Sequence, residues 1–318
     1  MDSIHHLEII INIFLQSLGG ILTFPMKLFS FLGQEEFFLV VTPALYWCVN
    51  ASWGLRLGIM LILSNGFNFW LKLAFASPRP FWFDNQVKAL VSETSFGLPS
   101  GHAMTAAAMW GTVAGMVKKR WFTITAVAIV FLIGLSRIEL GVHFTSDVLV
   151  GWLFGGLLLV VLFRLEKPTT AWVRKMGPGQ QVLAAVVSSL LMLALTFLAT
   201  ALRSEWTAPA DWLANAPDLN PLDPTVMISL AGVWLGLACG MVWWNHQHGM
   251  FKPASSLSRN FFRYIIGITG LLIIWYGLGL VFLRTFDLVA YVLRYIRYAI
   301  VGGWISAAAP LIFSAIKV

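Results

Sequence analysis

About nine runs of apolar residues, each nearly free of ionisable side chains, lie between Phe37 and Ile316 and leave the chain one medium in which to fold. They run roughly from Phe37 to Cys48, Trp53 to Trp70, Ala103 to Val117, Phe122 to Leu140, Val148 to Phe163, Val182 to Leu202, Val226 to Trp244, Tyr264 to Phe282 and Ile296 to Ile316. Most reach the roughly 20 residues that a helix needs to cross the hydrocarbon core. In lipid no water is present to satisfy peptide groups, so each run must close its hydrogen bonds internally as a helix. Composition agrees: 58% of residues are hydrophobic and 11% are charged, where soluble domains carry about 25% charged residues. The expected fold class is therefore all-α, a polytopic integral membrane helical bundle of about nine spans. A large soluble domain is excluded. The net charge of +7 reads as a topology signal rather than a nucleic-acid surface, because basic residues flanking spans set orientation.

Ahead of the first span, Glu8, Asn12, Gln16, Thr23, Lys27 and Ser30 recur on one helical face, opposite Ile9, Ile10, Phe14, Leu18 and Leu22. This pattern predicts an N-terminal interfacial amphipathic helix over residues 1–33; a tenth span is the alternative. No cleavable signal peptide is expected. Residues 34–168 form the expected catalytic membrane core and residues 169–318 a set of C-terminal membrane helices without recognisable chemistry. Loops are expected at Ser77-Pro78-Arg79-Pro80, Lys167-Pro168, Gly177-Pro178-Gly179 and from Ala208 to Pro224. With these spans, Arg56, Lys118, Lys119, Arg120, Arg164, Lys167, Arg174, Lys175 and further bases share one side with Glu166 as its only acid. That side is predicted to be cytoplasmic. Arg284, Arg294 and Arg297 fall opposite and count against this orientation. The two cysteines, Cys48 and Cys239, lie in apolar runs and suggest neither a disulfide framework nor a zinc site.

Ionisable residues at span ends are costly and therefore mark function. Three clusters fall on the same predicted outer face. Lys72 is followed by Arg79-Pro80; Pro99-Ser100-Gly101-His102 opens one span; Ser136-Arg137 ends another, with His143 and Asp147 leading into the next. Together they supply three cations, two histidines and one carboxylate, which is equipment for an anion. Guanidinium and ammonium groups match phosphate oxygens, and the backbone N–H groups of Ser100 and Gly101 at a helix start add donors and a positive dipole end. His143 and Asp147, four apart, meet if a helix already begins near Phe144. Asp147 then accepts from one ring nitrogen and leaves the other as a lone pair for phosphorus. His102 is left to deliver a proton to the leaving oxygen.

In order and internal spacing these residues match the three-part signature of the type 2 phosphatidic acid phosphatase and vanadium haloperoxidase superfamily, and the chain resembles its membrane phosphatase branch. The resemblance implies that His143 is the nucleophile, Asp147 its orienting partner and His102 the proton donor, with Lys72, Arg79, Ser100, Gly101 and Arg137 binding phosphate. It also implies a covalent phosphohistidine and no cofactor. No metal is expected, since no carboxylate pair stands at ligand spacing in the clusters.

Substrate is less constrained. Arg79-Pro80-Phe81-Trp82 and Glu93-Thr94 look like the glucose-6-phosphatase branch, whereas Gly33-Gln34-Glu35-Glu36 with Pro43 and Trp47 looks like lipid phosphatases. A site at a span end, open to the bilayer edge, favours a membrane lipid phosphate: a sphingoid phosphate, phosphatidic acid, phosphatidylglycerophosphate or a polyprenyl phosphate. A phosphatase of small sugar phosphates and a non-catalytic anion or lipid transporter are the alternatives. Glu93 and Trp82 are candidates to touch the headgroup beyond phosphorus. The expected partners are the bilayer and its lipid phosphate, with no nucleic acid, in a bacterial inner membrane or a eukaryotic endomembrane.

Overall fold

The structure, a computed structural model, describes residues 2–281 and 287–318. Among them every regular element is helical. In chain order these are α1 (Asp2–Ser17), α2 (Gly20–Phe31), α3 (Glu35–Ala44), α4 (Ala51–Phe75), α5 (Pro80–Phe83), α6 (Gly101–Val117), α7 (Arg120–Glu139) and α8 (Thr145–Val173). They are followed by α9 (Pro178–Ala201), α10 (Ala210–Asn215), α11 (Thr225–His248), α12 (Leu257–Leu272), α13 (Leu278–Val281), α14 (Leu288–Gly303) and α15 (Ala309–Ala315). Single π-turns extend α3, α12 and α14.

Seven stretches of the described residues are long and apolar enough to cross a membrane: Ala51–Phe83, Arg120–Glu139, Thr145–Val173, Pro178–Ala201, Thr225–His248, Leu257–Leu280 and Leu288–Ala315. Their outward side chains are apolar, as on α7 (Trp121, Ile124, Val127) and α8 (Leu149, Leu153, Leu157). Large apolar surfaces of this kind belong in lipid, and the chain is an integral membrane protein. Two of the nine expected spans are absent from the seven. Phe37 to Cys48 is only α3 with its π-turn, and α6 has 17 residues. The expected loop at Lys167-Pro168 is helical, since α8 carries Pro168 inside and runs on to Val173. Arg284 and the Phe282 boundary lie outside the described residues.

The expected single N-terminal amphipathic helix is instead two, α1 and α2, bent by 109° at Leu18-Gly19; taken together they would make an eighth span. The break has a local cause. Gly19 adopts φ +74, a left-handed conformation that glycine alone takes without strain.

The chain divides into two compact units that interleave along the sequence. The first comprises residues 1–38, 63–163 and 199–223, and the second 39–62, 164–198 and 224–318. In the first unit α8 lies close on α6: a Cβ at Gly151 would meet the Ser100 carbonyl, and one at Gly155 the Met104 carbonyl. This small-residue approach draws the start of α8 toward the start of α6. Segment 199–223 is stitched to the same unit by Arg203, which donates to the Leu73 and Ala74 carbonyls, and by the Asn220 N–H to the Thr94 carbonyl.

In the second unit α11 and α14 pack through a ladder of glycines. A Cβ at Gly232 or Gly236 would strike the Tyr295 or Ala299 carbonyl, and one at Gly240 the Ser306 hydroxyl. Buried indoles tie further helices: Trp47 Nε1 donates to the Ile305 carbonyl (2.9 Å) and Trp304 Nε1 to that of Gly267 (2.8 Å).

Candidate active site

Four helix ends and the irregular segments that join them in the first unit carry the site. Lys72 sits in the last turn of α4, Arg79 immediately precedes α5, His102 lies in the first turn of α6, Arg137 in the last turn of α7, and Asp147 in the first turn of α8. Ser100 caps α6, its Oγ accepting from the Ala103 N–H, and its own N–H donates to the Asp147 carbonyl (3.0 Å). Gly101 follows it, where a Cβ would press on Asn68, whose amide in turn donates to the Pro99 carbonyl (3.0 Å).

His143 and Asp147 meet as the spacing predicts. The Nδ1 of His143 lies 3.1 Å from Asp147 Oδ2, which also accepts the Phe144 N–H at 3.0 Å. On the other side of the ring Nε2 is 3.2 Å from Arg79 Nη1. Arginine only donates, so this contact makes Nε2 the acceptor and places the ring proton on Nδ1, toward Asp147. Burial, followed by the nearby Arg79, Lys72 and Arg137, holds the His143 imidazole well below its ordinary pKa. A neutral ring with its Nε2 lone pair facing the guanidinium is the state a nucleophile needs.

The cations are buried and mostly spoken for. Arg79 is fully buried; Nε donates to the Ser95 carbonyl (2.6 Å), Nη1 to that of Val142 (2.8 Å), and Nη2 to Glu93 (2.9 Å) and Ser95 Oγ (3.1 Å). Lys72 Nζ donates to Ser95 Oγ (2.9 Å) and to the Phe96 carbonyl. Arg137 donates through Nη1 to Ser30 Oγ (2.7 Å) and through Nη2 to Glu93, while its Nε has no partner. His102 Nε2 is likewise buried and without a partner. Two buried polar nitrogens among these cations are thus free to bond an anion, and a buried donor gains by finding an acceptor.

Sequence profiles place this geometry. The model described as "PAP2 superfamily" matches residues 53–171, and "PAP2 superfamily phosphatase, transmembrane extension" matches 228–318. The chain carries a PAP2 superfamily domain and its transmembrane extension. Its PAP2 relatives include phosphatidylglycerophosphatase B of Bacillus subtilis, 43% identical over 82 residues that cover 23% of this chain and 40% of that protein. Undecaprenyl-diphosphatase of Sulfolobus acidocaldarius is 28% identical over 155 residues, covering 47% of this chain and 71% of that protein. Glucose-6-phosphatase 3 of Homo sapiens is 32% identical over 158 residues, with 41% and 44% covered. The match thus spans less than half the length of the first and third. A crystal structure of a PAP2-type phosphatidylglycerolphosphate phosphatase from Bacillus subtilis overlays with a TM-score of 0.47 at 26% identity, over 53% of this chain and 88% of that one.

All eight motif residues of the PAP2 signature gather in the first unit. The two headgroup candidates do not behave alike. Trp82 is fully buried in a cluster with Leu73, Phe96 and Ala216, packed against Trp206 and Trp212. Glu93 bridges Arg79 and Arg137; burial pushes its carboxyl up, but those two guanidiniums overcome it and hold the pKa far below the carboxylate range. Residues that sequence reasoning passed over are Ser95, which accepts from both Lys72 and Arg79, and Asn12 and Ser30. The last two lay in the polar stripe of the N-terminal segment, but nothing in their spacing named their targets. Among the described residues no group of three or more His, Cys, Asp or Glu is placed to hold a metal ion.

Proposed function

We propose that this chain is a metal-independent phosphatase of membrane lipid phosphomonoesters that works through a phosphohistidine on His143. The observation that carries the reading is the pair of opposed contacts on one ring: Asp147 on Nδ1 and a cation on Nε2, beside the unpartnered nitrogens of His102 and Arg137. An arriving phosphate takes over the Arg79 Nη1 donor and accepts from Arg137 Nε. Nε2 of His143 then attacks phosphorus and the bond to the leaving oxygen breaks, with a proton on His102 Nε2 passing to that oxygen. Asp147 stabilises the positive charge on the phosphorylated ring. Lys72, Arg79, Arg137 and the start of α6 stabilise charge on the five-coordinate phosphorus. In the second half, water gives a proton to His102 and its oxygen to phosphorus, the phosphohistidine bond breaks, and inorganic phosphate leaves. A transporter needs the cations but not this histidine pair.

Two of the relatives carry lipid-phosphate names, and the wide apolar exterior brings lipid substrates to the protein at high local concentration. A second reading has its own support. A cavity of about 550 Å³ lies beside Glu93 and is lined by polar groups including Asn85, Ser92, Thr94, Asn215 and Asp218. Such walls suit a hydroxylated leaving group, which keeps a small sugar phosphate as the alternative. The deciding experiment is phosphate release in EDTA from a panel of lipid and soluble phosphomonoesters, together with acid quench of radiolabelled enzyme to trap a phosphohistidine. On the lipid reading kcat/KM for a long-chain phosphate exceeds that for glucose 6-phosphate by about a hundredfold; equal efficiencies favour the sugar reading. The site faces away from the cytosol on the charge pattern. A cysteine beside Glu93, in protein lacking Cys48 and Cys239, is expected to react with an impermeant thiol reagent on intact cells, and reaction only after permeabilisation would invert the orientation.

A further inference from the structure

Helices α1 and α2 lie outside both stretches that the family profiles match. Their apolar side chains Leu7, Ile10, Phe14, Ile21 and Phe24 face outward. Several of their polar side chains turn inward, toward the segment between α7 and α8 and toward Arg137. Asn12, fully buried, donates through its amide nitrogen to the carbonyls of Ile138 (2.7 Å) and His143 (3.2 Å). Gln16 donates to the carbonyls of Glu139 and Lys88 and accepts the Lys88 N–H. Glu8 accepts from the N–H (2.6 Å) and hydroxyl (3.1 Å) of Ser146, beside Asp147 in the first turn of α8. Ser30 Oγ accepts from Arg137 Nη1 (2.7 Å).

The segment between α7 and α8 is irregular, so its buried carbonyls need donors from elsewhere. Asn12 supplies them at both ends, fixing the backbone from which the His143 ring projects. The Arg137 guanidinium is planar, and once Ser30 and Glu93 hold its two terminal nitrogens the direction of the orphaned Nε is set. We infer that α1 and α2 form a wall of the active site in which Asn12 is a positioning residue for His143 and Ser30 a positioning residue for Arg137. This rests on the phosphatase reading above but concerns residues that the family signature does not contain.

The test uses full-length protein in detergent. At Ser30 the acceptor is graded by Thr, which keeps the hydroxyl, Cys, whose sulfur is a weak acceptor, and Ala, which removes it. KM and the inhibition constant of inorganic phosphate should rise in that order, reaching about tenfold for Ser30→Ala, with kcat less affected. Asn12→Asp keeps the shape but loses both N–H donors; kcat should fall by about 10- to 100-fold, with phosphate inhibition unchanged. A role in folding alone would lower the yield of folded protein and leave KM, kcat and phosphate inhibition of the folded fraction at wild-type values, and that result overturns the inference. So does a Ser30 series that ignores acceptor strength, which the near-isosteric Thr and Cys variants report even if Ser30→Ala fails to fold. If the wild-type protein releases no phosphate, the proposed function falls instead, and calorimetric titration with inorganic phosphate still tests Ser30 through the same graded series.

Discussion

The two compact units bury different things. Every buried Asp, Glu, Lys, Arg and His among the described residues lies in the first, including Lys72, Arg79, Arg137, Glu139, His143 and Asp147. The second buries hydroxyls, those of Tyr46, Ser189, Thr196, Ser229 and Ser306, and packs through glycines and aromatic rings. Desolvating a charge costs several kcal/mol even after relaxation, so a bundle that only has to stand in lipid avoids doing so. The first unit accepts that cost at six positions, Glu8, Lys72, Arg79, Arg137, Glu139 and Asp147, and offsets it with paired donors and acceptors. On the proposed reading this contrast puts the chemistry in the first unit.

The largest expected effect tests that assignment. His143→Ala should reduce kcat by at least about a thousandfold in protein that remains folded, because the ring makes its contacts to Asp147 and Arg79 and serves no apolar core. His248→Ala in the second unit, which removes an exposed ring stacked on Trp244 at 4.3 Å, should leave turnover within about twofold, as expected for an exposed side chain with no part in the proposed chemistry. Turnover assays on both variants check this, and matched losses would break the division.

Next in size are the arginines. Arg137→Ala should cost about a hundredfold in kcat/KM and weaken inhibition by vanadate, since its Nε is an unpartnered donor at the proposed phosphate seat. Glu93→Gln keeps the shape but removes the charge that pairs both guanidiniums. It should loosen Arg79 and Arg137 together, and a double-mutant cycle with Arg137→Lys should show non-additivity. Additive losses would mean that Glu93 acts elsewhere, as the headgroup contact first expected of it.

Why some of this was legible in the sequence and some was not follows from what each residue costs. Lys72, Arg79, His102, Arg137, His143 and Asp147 stand out because no cheap structural reason places them at span ends. Glu93 was named only for a headgroup, because a loop carboxylate costs nothing in water, and only the folded loop carries it to the arginines. Asn12 and Ser30 were visible as a polar stripe, but periodicity identifies a face without saying what it meets. The stripe read as facing lipid headgroups, and it faces the backbone of the catalytic loop instead. The same limit governs the spans. Composition marks α3 and α6 as apolar, but their lengths come from caps and breaks, and Pro168 reads as a loop although α8 passes through it.

A smaller effect sharpens the description of the second unit. Gly236→Ala places a Cβ against the Ala299 carbonyl at the α11–α14 contact, and backbone cannot yield as a flexible side chain does. Overpacking of this kind costs about 1–3 kcal/mol. Thermal unfolding in detergent should show a lowered Tm, while kcat of the folded fraction stays at the wild-type value. A fall in kcat at unchanged Tm would give the second unit a share in catalysis.

The smallest expected effect is acid lability, and its sign follows from three groups of the first unit outside the spans whose folded pKa values are depressed, His143, His102 and Glu93. Burial and the surrounding cations hold His143 well below its ordinary 6.5, so below that pH the unfolded chain binds a proton that the folded ring refuses. The contribution of His143 is therefore present above 6.5 and declines as pH falls through that value, by up to about 1.4 kcal/mol per pH unit for this one group, and His102, held down by burial and by Arg137, adds in the same direction. Glu93, despite the opposing push of burial, is held below its ordinary 4.5 by Arg79 and Arg137. Its contribution is present above that value and is lost in the same direction as pH falls further. Unfolding should thus steepen in two stages on the acid side. His143→Gln should shrink the first stage, to which His102 also contributes, and leave the second, while Glu93→Gln should leave the first and remove the second, each read from Tm against pH. A first stage undiminished in His143→Gln would trace the lability to other histidines and separate acid stability from the His143 ring.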